Sequence, residues 1–170
     1  MKEHQHIGCY GLFIKNEKIL LIKKKTGPYD GLLDLPGGLF EFGETPEETL
    51  KREFQEETGL EVTKYQLFDV SSTTVTWNYN LNTKILVHHI GIFYQIIETQ
   101  NDLKKNILLD NQNDDSLGAD FYEIKKLKKK KLSAITILEL EKLGYQLKEE
   151  NTSSFFHLYK RLKLGISILF

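Results

Sequence analysis

Runs of strand-forming residues occupy most of the chain, and one stretch in the first third breaks the pattern with a helical period. Residues 7–14 and 19–22 are rich in strand formers and flank the polar turn Lys15-Asn16-Glu17-Lys18. Two such runs around a short turn predict a β-hairpin. Residues 32–35 predict a short strand that Pro36, Gly37 and Gly38 break. Residues 62–76 and 84–97 predict two long strands, with Trp77, Asn78, Tyr79 and Asn80 as the hairpin tip. His88 and His89 are adjacent on the return strand, so they face opposite ways and cannot share a metal ion. One is expected to be packed or hydrogen-bonded within the sheet, the other to line a cleft. Residues 119–124 predict a further strand. Ser133 then caps a second helix to about residue 143, with Ile135, Ile137 and Leu138 as its apolar stripe and Gly144 as its stop.

The helical stretch follows a glycine turn. Thr45 suits the N-cap, Pro46 the first helical position, and Glu48 completes a capping box with Thr45. Gly59 suits the left-handed residue that closes a helix, so the helix is predicted over 46–58. Leu50 and Phe54 share one face and point to a core. Glu53, Glu56 and Glu57 stand at i, i+3 and i+4, which places three carboxylates on one face. Such clustering costs a few tenths of a kcal/mol per close pair. It is either a solvated acidic face or a seat for a cation, and oxygen ligands select hard ions. Arg52 can brace Glu48 or Glu56 at i±4.

More than the glutamates is patterned. Gly38, five residues, Glu44, seven residues, then Arg52-Glu53-Phe54-Gln55-Glu56-Glu57-Thr58-Gly59-Leu60 resembles the Nudix box at every defined position. The Leu-Pro-Gly-Gly lead-in and the strand order on both sides are also similar to Nudix hydrolases, over roughly residues 5–145. The resemblance implies an α/β protein, an α/β/α sandwich with a mixed central sheet. The domain is expected over 1–150, with 151–170 as a C-terminal extension that could serve partner contact, a dimer seam or an added packed element. The resemblance further implies a MutT-like enzyme that hydrolyses a diphosphate linkage in a nucleoside diphosphate joined to another moiety. Its cofactor would be Mg²⁺, with Mn²⁺ as a substitute. Glu53, Glu56, Glu57 and the Gly38 carbonyl would hold metal. Glu53 or Glu57 would carry catalysis, Glu53 as a third ligand or as the base, with Arg52 orienting the glutamates. Lys23 and Lys25 are candidates for the substrate's phosphates, Asp120 and Tyr79 for its base side, and Glu98 for an extra base or ligand. The marker proline of ADP-ribose pyrophosphatases is missing after the box, and the compact chain favours a MutT-like nucleoside triphosphate or a related small nucleotide. Dinucleoside polyphosphate or nucleotide-sugar hydrolysis and a non-catalytic ligand-sensing module are the alternatives.

Composition narrows this further. A chain of 170 residues with a net charge of −1 suggests one domain with no global attraction to nucleic acid or membrane. No DNA-binding segment is evident, and a homodimer is a candidate assembly. The single cysteine, Cys9, excludes an internal disulfide and reads as a small core residue. Neither a signal peptide nor an apolar span is apparent, so cytoplasm is expected. Residues 125–131 hold six lysines, either a charged connector or an anion patch, and the acidic residues 110–115 read as solvated surface.

Overall fold

The computed structural model describes residues 2–103 and 116–149. Within them the chain forms β1 (Lys2–Leu12), β2 (Ile14–Lys15), β3 (Lys18–Lys24), β4 (Leu33–Asp34), β5 (Gly37–Leu39), α1 (Pro46–Thr58), β6 (Glu61–Asn80), β7 (Thr83–Gln100), β8 (Ser116–Glu123) and α2 (Ala134–Lys142). The expectations for residues 110–115 and for the extension 151–170 lie outside the described residues.

One sheet is mixed, in the order β5-β1-β7-β6, with β1 parallel to β7 and the other pairs antiparallel. The other is antiparallel, with β3 paired to β2, β4 and β8. Side-chain alternation along β1 and β3 sorts two cores. Tyr10, Leu12, Ile19 and Leu21 join Ile135 and Leu140 of α2 in one. Cys9, Phe13, Leu20 and Ile22 join Leu50 and Phe54 of α1 in the other. The sheets thus lie between the two helices, an α/β/α sandwich. Cys9 is fully buried, and burial first, with nearby glutamates, pushes its thiol up to about 12. It is a core residue.

Three expectations need correction. The hairpin of residues 7–14 with 19–22 forms only at its turn end. β1 instead runs beside β7 from Lys2 to Leu12, and only Ile14 and Lys15 pair with β3. The predicted turn is real: Asn16 and Glu17 take φ of 49° and 59°, as tight hairpin turns require. The long hairpin's tip lies beyond the predicted one. β6 continues through Trp77 and Tyr79 to Asn80, because aromatic residues suit a pleated surface. In α2 the buried residues are Ile135, Thr136, Glu139 and Leu140, while Ile137 and Leu138 are half-buried. Polar side chains enter there too, and Glu139 is partnered through one carboxylate oxygen only, its Oε2 being buried without a hydrogen-bond partner among the described residues. Glu139 Oε1 accepts from Ser71 at 2.6 Å and from Lys142 at 3.1 Å.

The lysine run is a connector of two short 3₁₀ turns, Ile124–Lys126 and Lys129–Lys131. Lys126 bridges Glu123 at 2.8 Å, and Lys129 bridges Glu141 at 2.7 Å and Glu149 at 3.1 Å.

Candidate active site

The start of α1 is fixed locally. Thr45 accepts from the Glu48 amide, and the Glu48 carboxylate accepts from the Thr45 amide at 2.8 Å, so the capping box is complete. Gly59 closes the helix at φ 77°. With both ends fixed and Leu50 and Phe54 buried, the polar face of α1 turns toward a cleft of about 770 Å³. Glu53, Glu56, Glu57, Gly37 and Gly38 line one wall of it.

Arg52 lies behind that wall. Its Nε and Nη2 donate to the two oxygens of Glu44 at 2.6 and 2.9 Å, a bidentate fork. Its Nη1 donates to Glu53 at 2.8 Å and to Glu56 at 3.4 Å, and Nη2 also reaches the Leu39 carbonyl at 3.0 Å. Five N–H donors in a rigid plane suit this task. Of the two predicted i±4 partners, Arg52 takes Glu56, since Glu48 is committed to the cap. The Arg52 bond, then the Glu41 amide, holds the Glu44 carboxyl down to about 2. Glu44 also accepts from Thr49 at 2.8 Å. One carboxylate thereby ties the loop at 41–44 to the middle of α1.

Glu57 is buried and accepts from the Gly37 amide at 2.8 Å. The carboxylate of Glu53 lies so close to Gly38 that an added Cβ would come within 2.7 Å of it. The glycine turn and the helix face are therefore packed as one piece. Among the described residues no three His, Cys, Asp or Glu side chains form a ready-made metal cage. The donor set still fits a hard cation, because such ions keep several waters and complete their shell with substrate phosphate oxygens.

Lys24 lines the same cleft and brings its ammonium to 3.9 Å from Glu57. The sequence pointed to its neighbours. Lys23 and Lys25 are both exposed and outside the lining, because side chains alternate along β3. The other peripheral candidates are also placed elsewhere. Tyr79 is exposed and packs edge-on against Trp77. Exposed Asp120 accepts from the Phe121 amide at 2.7 Å. Glu98 is exposed, pairs with Lys64 at 3.4 Å and is not among the residues that line the cleft.

The end of the cleft beyond Lys24 and Gly37 is aromatic. His4, His6, Tyr10, Tyr29, Trp77, Val87 and His89 line it. The parallel register sets His6 beside His89 and His4 beside Val87. Gly8 pairs with Gly91 on the same face. A Cβ on Gly8 would come within 2.8 Å of the Tyr10 hydroxyl, and one on Gly91 within 2.2 Å of the Phe93 ring. The two glycines let both rings lie along the sheet, stacked with centroids 5.6 Å apart. Tyr10 then reaches back to His6 at 2.9 Å and to His89 at 2.7 Å, and Tyr29 meets the other His89 nitrogen at 3.1 Å. Burial first, then the charges of His6 and Lys24, push the His89 imidazole down to about 3, so it is neutral. The packed histidine and the cleft histidine are thus one residue, and His88 is exposed.

Asp34 is a further lining residue that the sequence did not reveal. It is buried and accepts from Ser133 at 2.5 Å and Thr136 at 3.1 Å, which ties the first turn of α2 to the cleft. Burial pushes its carboxyl up against the pull of these bonds.

The fold is that of a known family. A model of the NUDIX domain matches residues 2–140, and the chain belongs to that family. It is 34% identical over 126 residues to the ADP-ribose pyrophosphatase of Methanocaldococcus jannaschii, covering 74% of this chain and 66% of the relative. It is 49% identical over 85 residues to the 8-oxo-dGTP diphosphatase of Escherichia coli, covering 49% of this chain and 58% of the relative. The chain thus spans about two thirds or less of these curated relatives. Among solved structures, the MutT NUDIX hydrolase of Burkholderia pseudomallei is similar in fold. Its TM-score is 0.65 at 23% identity, covering 81% of this chain and 97% of that one.

Proposed function

We propose that the protein hydrolyses a diphosphate linkage in a nucleoside diphosphate joined to another moiety, with Mg²⁺ as the cofactor and Mn²⁺ as a substitute. One observation carries this reading: the cleft that Glu53, Glu56, Glu57 and Lys24 line is also lined by Tyr10, Tyr29, Trp77 and His89. A nucleotide has groups for both, phosphates and a planar base. The named activities of the two relatives, on ADP-ribose and on 8-oxo-dGTP, agree with the substrate class.

Glu53, Glu56, Glu57 and the Gly38 carbonyl are the proposed metal-holding groups. When bound, the ion would neutralise phosphate charge and lower the pKa of a water. The chain's own residues do the rest. Lys24 is placed to hold a phosphate oxygen. Arg52 keeps Glu53 and Glu56 in place from behind, and Glu44 fixes Arg52. The Gly37 amide fixes Glu57. Glu53 serves as ligand or as the base that takes the water's proton.

A panel of nucleoside triphosphates, ADP-ribose, dinucleoside polyphosphates and nucleotide sugars, assayed with Mg²⁺, tests the proposal. Cleavage of at least one class within the diphosphate is the expected result. Inertness toward all of them would leave a ligand-sensing module.

A further inference from the structure

The lysine connector is shaped by its apolar residues. Ile124, Leu127 and Leu132 are buried and anchor its two 3₁₀ turns to the α2 core. The lysines between them face out: Lys125, Lys126, Lys128, Lys130 and Lys131 are exposed, and Lys129 is half-buried. Exposed Lys148 joins them, because its amide donates to the Leu127 carbonyl at 3.3 Å and its carbonyl accepts from the Lys129 amide at 3.0 Å. Among the described residues, three carboxylates pair with this group, Glu123 with Lys125 and Lys126, and Glu141 and Glu149 with Lys129. Glu17 and Lys18, beside the start of the connector, cancel. Seven lysines against three glutamates leave a local positive excess on a chain whose net charge is −1.

The chain passes from this patch directly into residues 150–170. Ten of the last sixteen residues are aromatic or aliphatic, among them Phe155, Phe156 and Tyr159, and Lys160, Arg161 and Lys163 stand against the single acid Glu150. An anionic lipid surface takes both features at once. Clustered lysines are drawn to its negative potential, and apolar side chains enter the acyl boundary. A nucleic acid would use the charges and leave the leucines and isoleucines without a place. Residues 124–131 also offer neither an arginine fork for phosphate nor an aromatic platform for bases.

We propose that the lysine connector, together with the C-terminal segment that follows it, docks the protein on an anionic lipid surface. Stable attachment to a bilayer takes two such signals, and either alone is marginal. None of the seven lysines lines the cleft, so docking and turnover are separable.

The test sediments the full-length chain with vesicles of phosphatidylcholine alone, or of phosphatidylcholine and phosphatidylserine in about a 3:1 ratio. Preference for the mixed vesicles is expected. It should fall as salt rises from about 0.1 to 1 M and the screening length shrinks from about 10 to 3 Å. Each lysine is worth about fivefold in partition, so the combined Lys125→Gln, Lys126→Gln and Lys131→Gln variant should lose about 100-fold. Its melting temperature reports that the fold is kept, and the salt series on wild type probes the same charges without any variant. Phe155→Asn combined with Phe156→Asn should also weaken binding to the mixed vesicles. The inference is overturned by binding that ignores phosphatidylserine or salt, by an unaltered partition in either variant, by no sedimentation with either vesicle, or by tighter binding to a single-stranded RNA oligonucleotide than to the mixed vesicles.

Discussion

At the scale of single residues, the site depends on side chains that are held by others. Arg52 shows this most clearly: it touches Glu44, Glu53, Glu56 and the Leu39 carbonyl. Its identity was legible in the sequence, and so were the three glutamates. Lys24 was not singled out from Lys23 and Lys25, because three consecutive lysines on a strand carry no mark of which faces inward. The histidines show the same limit. Alternation separated His88 from His89, but only the pairing with β1 decides which one is buried. His89 also yields a prediction. Its folded value near 3 lies below the ordinary 6.5, so the unfolded chain binds the proton first. This contribution to stability is complete above pH 6.5 and is lost as pH falls from there toward 3. Urea unfolding between pH 7 and 5 should show stability falling by up to about 1.4 kcal/mol per pH unit. His89→Phe should flatten that slope.

At the scale of elements, α1 was readable end to end because its signals are local. The cap, the proline, the closing glycine and the apolar spacing all lie within the helix or next to it. Thr45→Ala removes the acceptor for the Glu48 amide and should cost about 1 kcal/mol in thermal or urea unfolding. The cleft residues on α1 stay in place in that variant, because Glu44 and Arg52 still tie helix to loop. Strands were harder to read. Both strands of the long hairpin are legible in the sequence, whereas Trp77–Asn80, where polar asparagines flank aromatic rings, reads as the tip. The chain turns instead at Leu81 and Asn82, with the Asn80 side chain accepting from the Asn82 amide at 3.0 Å. Trp77 consequently stays on a strand, and that places it in the cleft.

At the scale of the whole molecule, the parallel pairing of β1 with β7 builds the aromatic end of the site. It joins residues more than 80 positions apart, such as His6 and His89, and no local pattern encodes it. The α/β/α layering was legible from the resemblance carried by the box. The split of one early apolar run between two sheets was not, because a strand's residues do not say which partner they will pair with. No helix among the described residues is long and apolar enough to cross a membrane. The clustered carboxylates predict a linkage effect. Mg²⁺ that binds the folded state only stabilises it by mass action, by about 1.4 kcal/mol at ten times its dissociation constant. A rise of about 3–6 °C in the melting temperature at millimolar Mg²⁺, reversed by a chelator, is the expected result.

The claim on which the rest depends is that the carboxylate wall performs the hydrolysis. Turnover of the best substrate from the panel, compared between wild type and Glu57→Gln under saturating Mg²⁺, tests it most directly. The variant keeps the size of the side chain and one acceptor for the Gly37 amide, so the fold should persist. The account predicts a loss in kcat of at least about 100-fold, whereas a folded variant with near wild-type turnover would contradict it.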